Sequence, residues 1–198
     1  MRLLLIGDSI RLGYQGEVAR LLAGAVEVVG PGENCRSTAD ILEHVKPWVF
    51  DRLEPGATVH LNAGLHDLRR LEGAGTDPQV AIDAYEESLQ RIVDAVATHS
   101  ACERLILATT TPVDDERHAA GGCSNRHDAD VQRYNERLRR VAAQAAVDVH
   151  DLGEVIRSDP ARYLSDDGVH LTDSGNAAAA RSVAAAVTRG IGIETDDA

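Results

Sequence analysis

The sequence predicts an α/β fold: a three-layer αβα sandwich on a five-stranded parallel, flavodoxin-like sheet. Three observations lead there. Short apolar runs alternate with longer helix-patterned segments in the order βαβαβαβαβα, which calls for parallel strands with helices on both faces. The length, 198 residues, suits one domain of this kind. Hydrophobic residues make up 43% of the chain and aromatics only 3%, so the core must be built from Leu, Val, Ile and Ala.

The elements follow in order. Residues 2–6 form the first strand. Leu3-Leu4-Leu5-Ile6 is apolar without alternation, as in a strand covered on both faces, and it stops at Gly7-Asp8-Ser9. A helix over 11–23 places Leu12, Val18, Leu21 and Leu22 on its apolar face. Residues 26–29 are the second strand. The helical segment 38–53 carries Ile41, Leu42, Val45 and Val49, with Pro47 bending or restarting it. The third strand is 58–62, and the helix 78–98 repeats Val80, Ile82, Leu89, Ile92, Val93 and Val96. Strands 104–109 and 147–150 flank a helix over 128–146 with Val131, Tyr134, Leu138 and Val141. An Ala-rich helix over 173–188 closes the series, with Thr172 or Asp173 as its cap. Two loops are long. Residues 69–77 contain Gly73 and Gly75, and residues 112–126 contain Gly121 and Gly122; loops of this size often cover a site. One domain is expected over 1–190, with an acidic, frayed tail over 191–198.

The formal net charge of −12 disfavours a nucleic-acid partner and an anionic membrane surface. No apolar run approaches the roughly 20 residues that cross a bilayer. The N-terminus lacks the pattern of a secretory signal and reads as the first strand, so a cytoplasmic location is expected. Cys35, Cys102 and Cys123 are odd in number and widely spaced, which argues against a disulfide framework. No Gly-x-Gly-x-x-Gly or P-loop follows a strand. His118, Cys123 and His127 share one loop but lack a fourth ligand and a zinc spacing. No metal and no cofactor are therefore expected.

Four segments carry chemistry, and all follow strands or sit in a late loop. In α/β sheets, ligands bind beyond the carboxyl ends of the strands. At Gly7-Asp8-Ser9 a strand-to-helix turn can lift the Ser9 hydroxyl towards a base, with the helix start offering N–H groups to an oxyanion; the plainer reading is that Asp8 or Ser9 caps the helix. In Asp167-Gly168-Val169-His170, an imidazole suited to general-base work stands three residues from a carboxylate that can fix its tautomer. Asp166 is an adjacent decoy. In Asn62-Ala63-Gly64-Leu65-His66-Asp67, Gly64 permits close backbone approach, His66 can donate an N–H to an oxyanion, and Asp67 can orient the loop; His66 as the base is the rival assignment. In Gly30-Pro31-Gly32-Glu33-Asn34-Cys35-Arg36-Ser37-Thr38, a backbone N–H can serve as another donor while Ser37 or Thr38 caps the next helix.

Together the four segments resemble the SGNH hydrolases, the GDSL lipase/esterase superfamily, in order, position and length. The resemblance implies the SGNH hydrolase fold, with Ser9 as nucleophile and Asp167 and His170 completing the triad. Gly64-Leu65-His66-Asp67 occupies the family's Gly-x-Asn-Asp block, so His66 stands where an asparagine usually donates to the oxyanion. At the second block the usual glycine is absent, and Cys35 or Arg36 would supply the backbone donor. Asp8 and Asp67 would support the site. The implied activity is hydrolysis of a short-chain ester, such as an acetyl ester of a carbohydrate or other polar alcohol, through an acyl-enzyme. The partner is a small-molecule ester. An acyltransferase with the same triad and a non-catalytic binding protein are the alternatives. Oligomeric state is not legible in the sequence.

Overall fold

Leu3, Leu4, Leu5 and Ile6 have no exposed surface, because the strand they form, β1 (Arg2–Gly7), runs through the middle of a sheet with helices on both faces. The computed structural model describes residues 1–71, 77–122 and 125–189. After β1 come α1 (Ser9–Leu21), β2 (Glu27–Val29), α2 (Thr38–Glu43), α3 (Val45–Trp48) and β3 (Ala57–Asn62). Then follow α4 (Ile82–Ala97), β4 (Cys102–Ala108), α5 (Asp115–Ala120), α6 (Asp128–Ala145), β5 (Asp148–His150), α7 (Leu152–Arg157), α8 (Pro160–Tyr163) and α9 (Asp173–Thr188).

All strand pairs are parallel, in the order β2-β1-β3-β4-β5. This is the flavodoxin-like order expected from the alternation. Register places Gly7 beside Asn62 and Asn62 beside Ala108, so the three central strands end level. The outer strands β2 and β5 are three residues each and carry charge towards solvent: Arg2 pairs with Glu27 at 2.9 Å and Arg104 with Asp148 at 2.7 Å. Short, charged edges discourage pairing with other chains. On one face α1 packs on α9, which α7 and α8 also meet. On the other, α4 lies between α2 and α6, with the Tyr85 and Tyr134 rings 4.9 Å apart. The buried apolar side chains form one continuous cluster from Leu3 to Val187. Among the described residues, no helix is long and apolar enough to cross a membrane.

Several elements differ from the sequence expectation. Asp8 caps the first helix early, which shifts its inward face to Ile10, Arg11, Tyr14 and Val18 and leaves Leu12 at 39% exposure. The segment 38–53 breaks into α2, α3 and a 3₁₀ turn at Phe50–Arg52. Pro47 has no N–H with which to continue the ladder from Glu43. Pro78 does not begin a helix; it bridges to Arg70, and α4 starts only at Ile82. The short helices α5, α7 and α8 were not foreseen. Thr172 is the cap of α9, its side chain accepting from the Gly175 N–H. Gly73, Gly75, Cys123 and the tail from residue 190 lie outside the described residues.

Candidate active site

The turn after β1 is fixed by one carboxylate. Asp8 is buried and accepts the Ile10 N–H at 3.0 Å, so the chain passes from strand to helix across a single residue. Ser9 becomes the first residue of α1, and its N–H has no acceptor within the helix. Burial pushes the Asp8 carboxyl up to about 6, against the pull of the Ile10 N–H and of the charges on Arg126, His170 and Arg11.

The partner of Ser9 comes from the other end of the chain. Ser9 Oγ lies 3.0 Å from His170 Nε2, across 161 residues of sequence. His170 Nδ1 lies 2.6 Å from Asp167 Oδ2. If Nδ1 carries the proton and donates it to the carboxylate, Nε2 is left as an acceptor for the serine hydroxyl. The other Asp167 oxygen accepts from the Val169 N–H at 2.9 Å, the His170 N–H at 2.9 Å and the Ser165 hydroxyl at 2.8 Å. Desolvation raises the Asp167 carboxyl, but the His170 ring, these two N–H groups and the Ser165 hydroxyl outweigh it. The group is held well below the usual carboxylate range. Asp167, not the adjacent Asp166, meets the imidazole. The His170 and Asp167 side chains are 54% and 49% exposed, so the pair stands open to solvent.

Helix α5 buttresses this loop. Gly168 has φ +72°, and a Cβ there would stand 2.5 Å from Asp114 O and 2.7 Å from His118 N. The Asp114 N–H donates to Gly168 O at 2.8 Å, and His118 Nδ1 meets Asp167 O at 3.0 Å. The second His118 nitrogen meets Asn125 Oδ1 at 2.9 Å, and His127 Nδ1 meets Asp115 at 2.8 Å. His118 thus has neither ring nitrogen free for a metal. Among the described residues, no group of three His, Cys, Asp or Glu side chains is placed to hold one.

The segment after β3 stands beside the segment after β2. Asp67 is fully buried and accepts from the Thr38 N–H at 3.0 Å and from the Thr38 hydroxyl at 2.5 Å, so it links the two loops. Burial raises its carboxyl to about 7 against those two bonds. Gly64 has φ +150°, and a Cβ there would stand 2.2 Å from Thr110 Oγ1; the close approach it permits is to Thr110. His66 is half-buried, and its ring makes no hydrogen bond among the described residues. Burial, then the charges of Arg126 and Arg69, lower its imidazole to about 4, so it is neutral at neutral pH. The hydroxyl of Ser9 meets His170 rather than this ring.

In the loop after β2, both candidate donors are engaged. The Cys35 N–H donates to Gly7 O at 3.1 Å, a backbone bond inside the fold. The Arg36 N–H donates to the Asn34 side-chain oxygen at 2.8 Å, and Arg36 sits at φ +53°, where glycine is at ease. Of the two amides, only that of Arg36 can be released by turning a side chain. The Arg36 side chain lies 3.4 Å from Asp40. Ser37 caps α2 and shares a capping box with Asp40.

Ser165, Thr38, Asn34 and His118 were missed or given another role in the sequence reading. Ser165 had a local signal, a hydroxyl two residues before the acid. Thr38, Asn34 and His118 act through contacts that only the fold creates. A hollow of about 480 Å³, lined by Met1, Arg2, Glu27 and Glu54 among others, lies at the amino-terminal edge of the sheet, opposite Ser9, and holds none of these groups.

Comparisons with known proteins bear on the family and the fold. A GDSL-like lipase/acylhydrolase family model matches residues 5–178. A comparison with curated proteins finds no match. Among solved structures, an acetyl xylan esterase, AlAXEase, is similar with a TM-score of 0.75 and 23% identity, over 94% of this chain and 100% of that one. A lipase/acylhydrolase from Enterococcus faecalis gives 0.76 at 19% identity, over 100% and 99%. Axe2, an acetylxylan esterase from Geobacillus stearothermophilus, gives 0.76 at 20% identity, over 98% and 94%. At these identities the structural likeness is one of fold.

Proposed function

Since this chain belongs to the GDSL-like lipase/acylhydrolase family and is a carboxylic ester hydrolase, we propose that it is a serine esterase acting through Ser9, His170 and Asp167 on a short-chain acyl ester of a polar alcohol. The observation that carries this reading is the unbroken chain of contacts, 3.0 Å from Ser9 Oγ to His170 Nε2 and 2.6 Å from His170 Nδ1 to Asp167.

In the first half-reaction Ser9 Oγ attacks the ester carbonyl while His170 Nε2 takes its proton. The carbonyl oxygen becomes an oxyanion, and Asp167 stabilises the imidazolium. His170 then protonates the departing alcohol, leaving an acyl-serine. Water enters, His170 takes its proton, and collapse of the second tetrahedral intermediate frees the acid and returns the proton to Ser9. The oxyanion donors are the Ser9 N–H, the Arg36 N–H and an N–H of the His66 ring. The substrate carbonyl displaces the Asn34 oxygen from the Arg36 amide. His66 donates as a neutral imidazole, since its ring takes up a proton only near pH 4. Exposure of His170 and Asp167 keeps water at hand for deacylation, which favours hydrolysis over transfer. Low aromatic content argues against a long acyl chain, and the acetylxylan esterases among the structural neighbours favour an acetyl group on a carbohydrate.

Ser9→Ala should lower kcat on p-nitrophenyl acetate by about a thousandfold or more while leaving the circular dichroism spectrum intact. Turnover equal to wild type would overturn the assignment. A series from acetyl to octanoyl esters, followed by acetylated sugars, tests the substrate class; a preference for octanoyl would contradict it.

A further inference from the structure

One fully buried guanidinium belongs to no ion pair among the described residues. Arg11, on the inner face of α1, has no exposed surface. Its guanidinium is satisfied mainly by carbonyl oxygens. Nε and Nη2 donate to Gly7 O at 3.4 and 3.3 Å, Nη1 to Pro31 O at 2.7 Å, and Nη2 to Glu33 O at 2.6 Å. Nη1 also donates to Gln15 Oε1 at 2.8 Å, and Nη2 lies 3.7 Å from Cys35 Sγ. Taking a guanidinium out of water is costly unless its donors are met. Here they are met by two segments that Arg11 ties together alongside the single backbone bond from the Cys35 N–H to Gly7 O. One is the end of β1, directly before Ser9. The other is the loop after β2, directly before Arg36.

From this convergence we infer that Arg11 is a positioning residue: its planar fork fixes the Arg36 amide relative to the Ser9 hydroxyl. The inference rests on the catalytic reading above. The fork suits the task because its five donors point in fixed directions within one plane, so one side chain can hold several carbonyls at once. The sequence makes room for it with two glycines. A Cβ at Gly7 would stand 2.8 Å from Arg11 Cβ and from Asn62 O. A Cβ at Gly30 would stand 2.7 Å from Gln15 Oε1 and from Leu5 O, and 3.5 Å from Arg11 Nη1. The clamp also explains how a non-glycine residue keeps φ +53° at Arg36. Left-handed backbone persists when its surroundings over-determine it, and the loop is held by Arg11 at Pro31 and Glu33, by Trp48 at the Glu33 carboxylate, and by Gly7 at the Cys35 N–H. With the backbone fixed, admitting a substrate oxygen requires only that the Asn34 side chain turn.

The test uses Arg11→Lys, Gln15→Leu and Ser9→Ala in the full chain, with active sites titrated by a fluorophosphonate and folding checked by thermal melts. Lysine keeps the charge but cannot reach all the carbonyls; leucine removes only the outer anchor of the fork, at a half-buried position. Arg11→Lys should lower kcat on p-nitrophenyl acetate by about a hundredfold, the order seen when one oxyanion donor is lost, with KM within about threefold of wild type. The loss should be uniform across pH, because the His170–Asp167 contact is untouched. Gln15→Leu should lower kcat about three- to tenfold. A purely structural role would reduce the titratable fraction and the melting temperature but leave kcat per titrated site unchanged, and that result overturns the inference. If Arg11→Lys fails to fold, unchanged kcat in Gln15→Leu overturns it alone. Ser9→Ala separates the two failures. If it stays active, the catalytic reading falls; if it is dead while both clamp variants match wild type, only the clamp falls.

Discussion

At the scale of single residues, His66 marks the clearest departure from the family pattern. Burial and neighbouring guanidinium groups keep its ring neutral down to about pH 4, and Ser9 is bonded to a different histidine. A ring that takes up a proton only near pH 4 can donate a hydrogen bond but is a weak base at pH 7. His66→Asn should therefore keep kcat on p-nitrophenyl acetate within about tenfold of wild type, with an unaltered pH profile between 5 and 8, whereas His170→Ala should lose at least about a thousandfold. Comparable losses in the two variants would make His66 the base. Ser9, Asp167 and His170 were legible in the sequence because their signal is local: a strand stopped by a glycine turn, and an acid three residues before an imidazole. Arg11 was not. It stands at the start of the helix expected over 11–23 and drew no role there; only the sheet end and the loop above it reveal a buried fork. His118 was noticed only as a candidate metal ligand and set aside; its partners, Asp167 O and Asn125, are brought to it by the fold.

At the scale of elements, the triad loop is only as firm as α5, which holds it through Gly168. An alanine there meets Asp114 O at 2.5 Å and a φ of +72°, which together should cost about 1–3 kcal/mol. Gly168→Ala should lower the melting temperature by several degrees and kcat by more than about tenfold, because the loop that shifts carries both Asp167 and His170. The control is Gly16→Ala in the middle of α1, where a Cβ meets nothing within 4 Å. That change should raise the melting temperature, since alanine is the better helix former, and leave turnover alone. If the two alanines behave alike, the buttress is unimportant. Long helices and central strands were legible from their periodicity, and Thr172 from its capping chemistry. The short helices α5, α7 and α8 were not, because four to six residues hold less than two turns and carry no period to detect.

At the scale of the whole molecule, stability against pH is a balance of two opposed sets. His60 is held well below the ordinary imidazole range by burial and by its partner His150, at 3.0 Å; His150 itself is lowered to about 4 by burial, and His66 to about 4. Between pH 6.5 and 4 the unfolded chain binds protons at these sites and the folded chain does not, so acidification costs stability. Asp8 and Asp67, raised by burial to about 6 and about 7, act in the reverse sense: the folded chain takes up their protons first, and acidification from 7 towards 4 favours it. His150→Gln removes one member of the first set. In urea melts at pH 7 and 4.5, the variant should lose less stability on acidification than wild type; an equal or greater loss would show that the buried histidines do not govern the slope. The sheet order was legible because strict alternation leaves few topologies open. The histidine pair was not, since His60 and His150 lie on β3 and β5 with β4 between them, and no sequence spacing announces that neighbourhood.

The separation of 161 positions between Ser9 and His170 has a consequence in time as well as in space. Ser9 is made 161 positions before His170, so on the proposed mechanism the nucleophile waits for its base until that stretch has been synthesised. On that mechanism, turnover requires the docking of the elements that bring Ser9 and His170 together, including α9 on α1. Activity would then report on completed folding, and a fragment ending before residue 165 should show no turnover of p-nitrophenyl acetate.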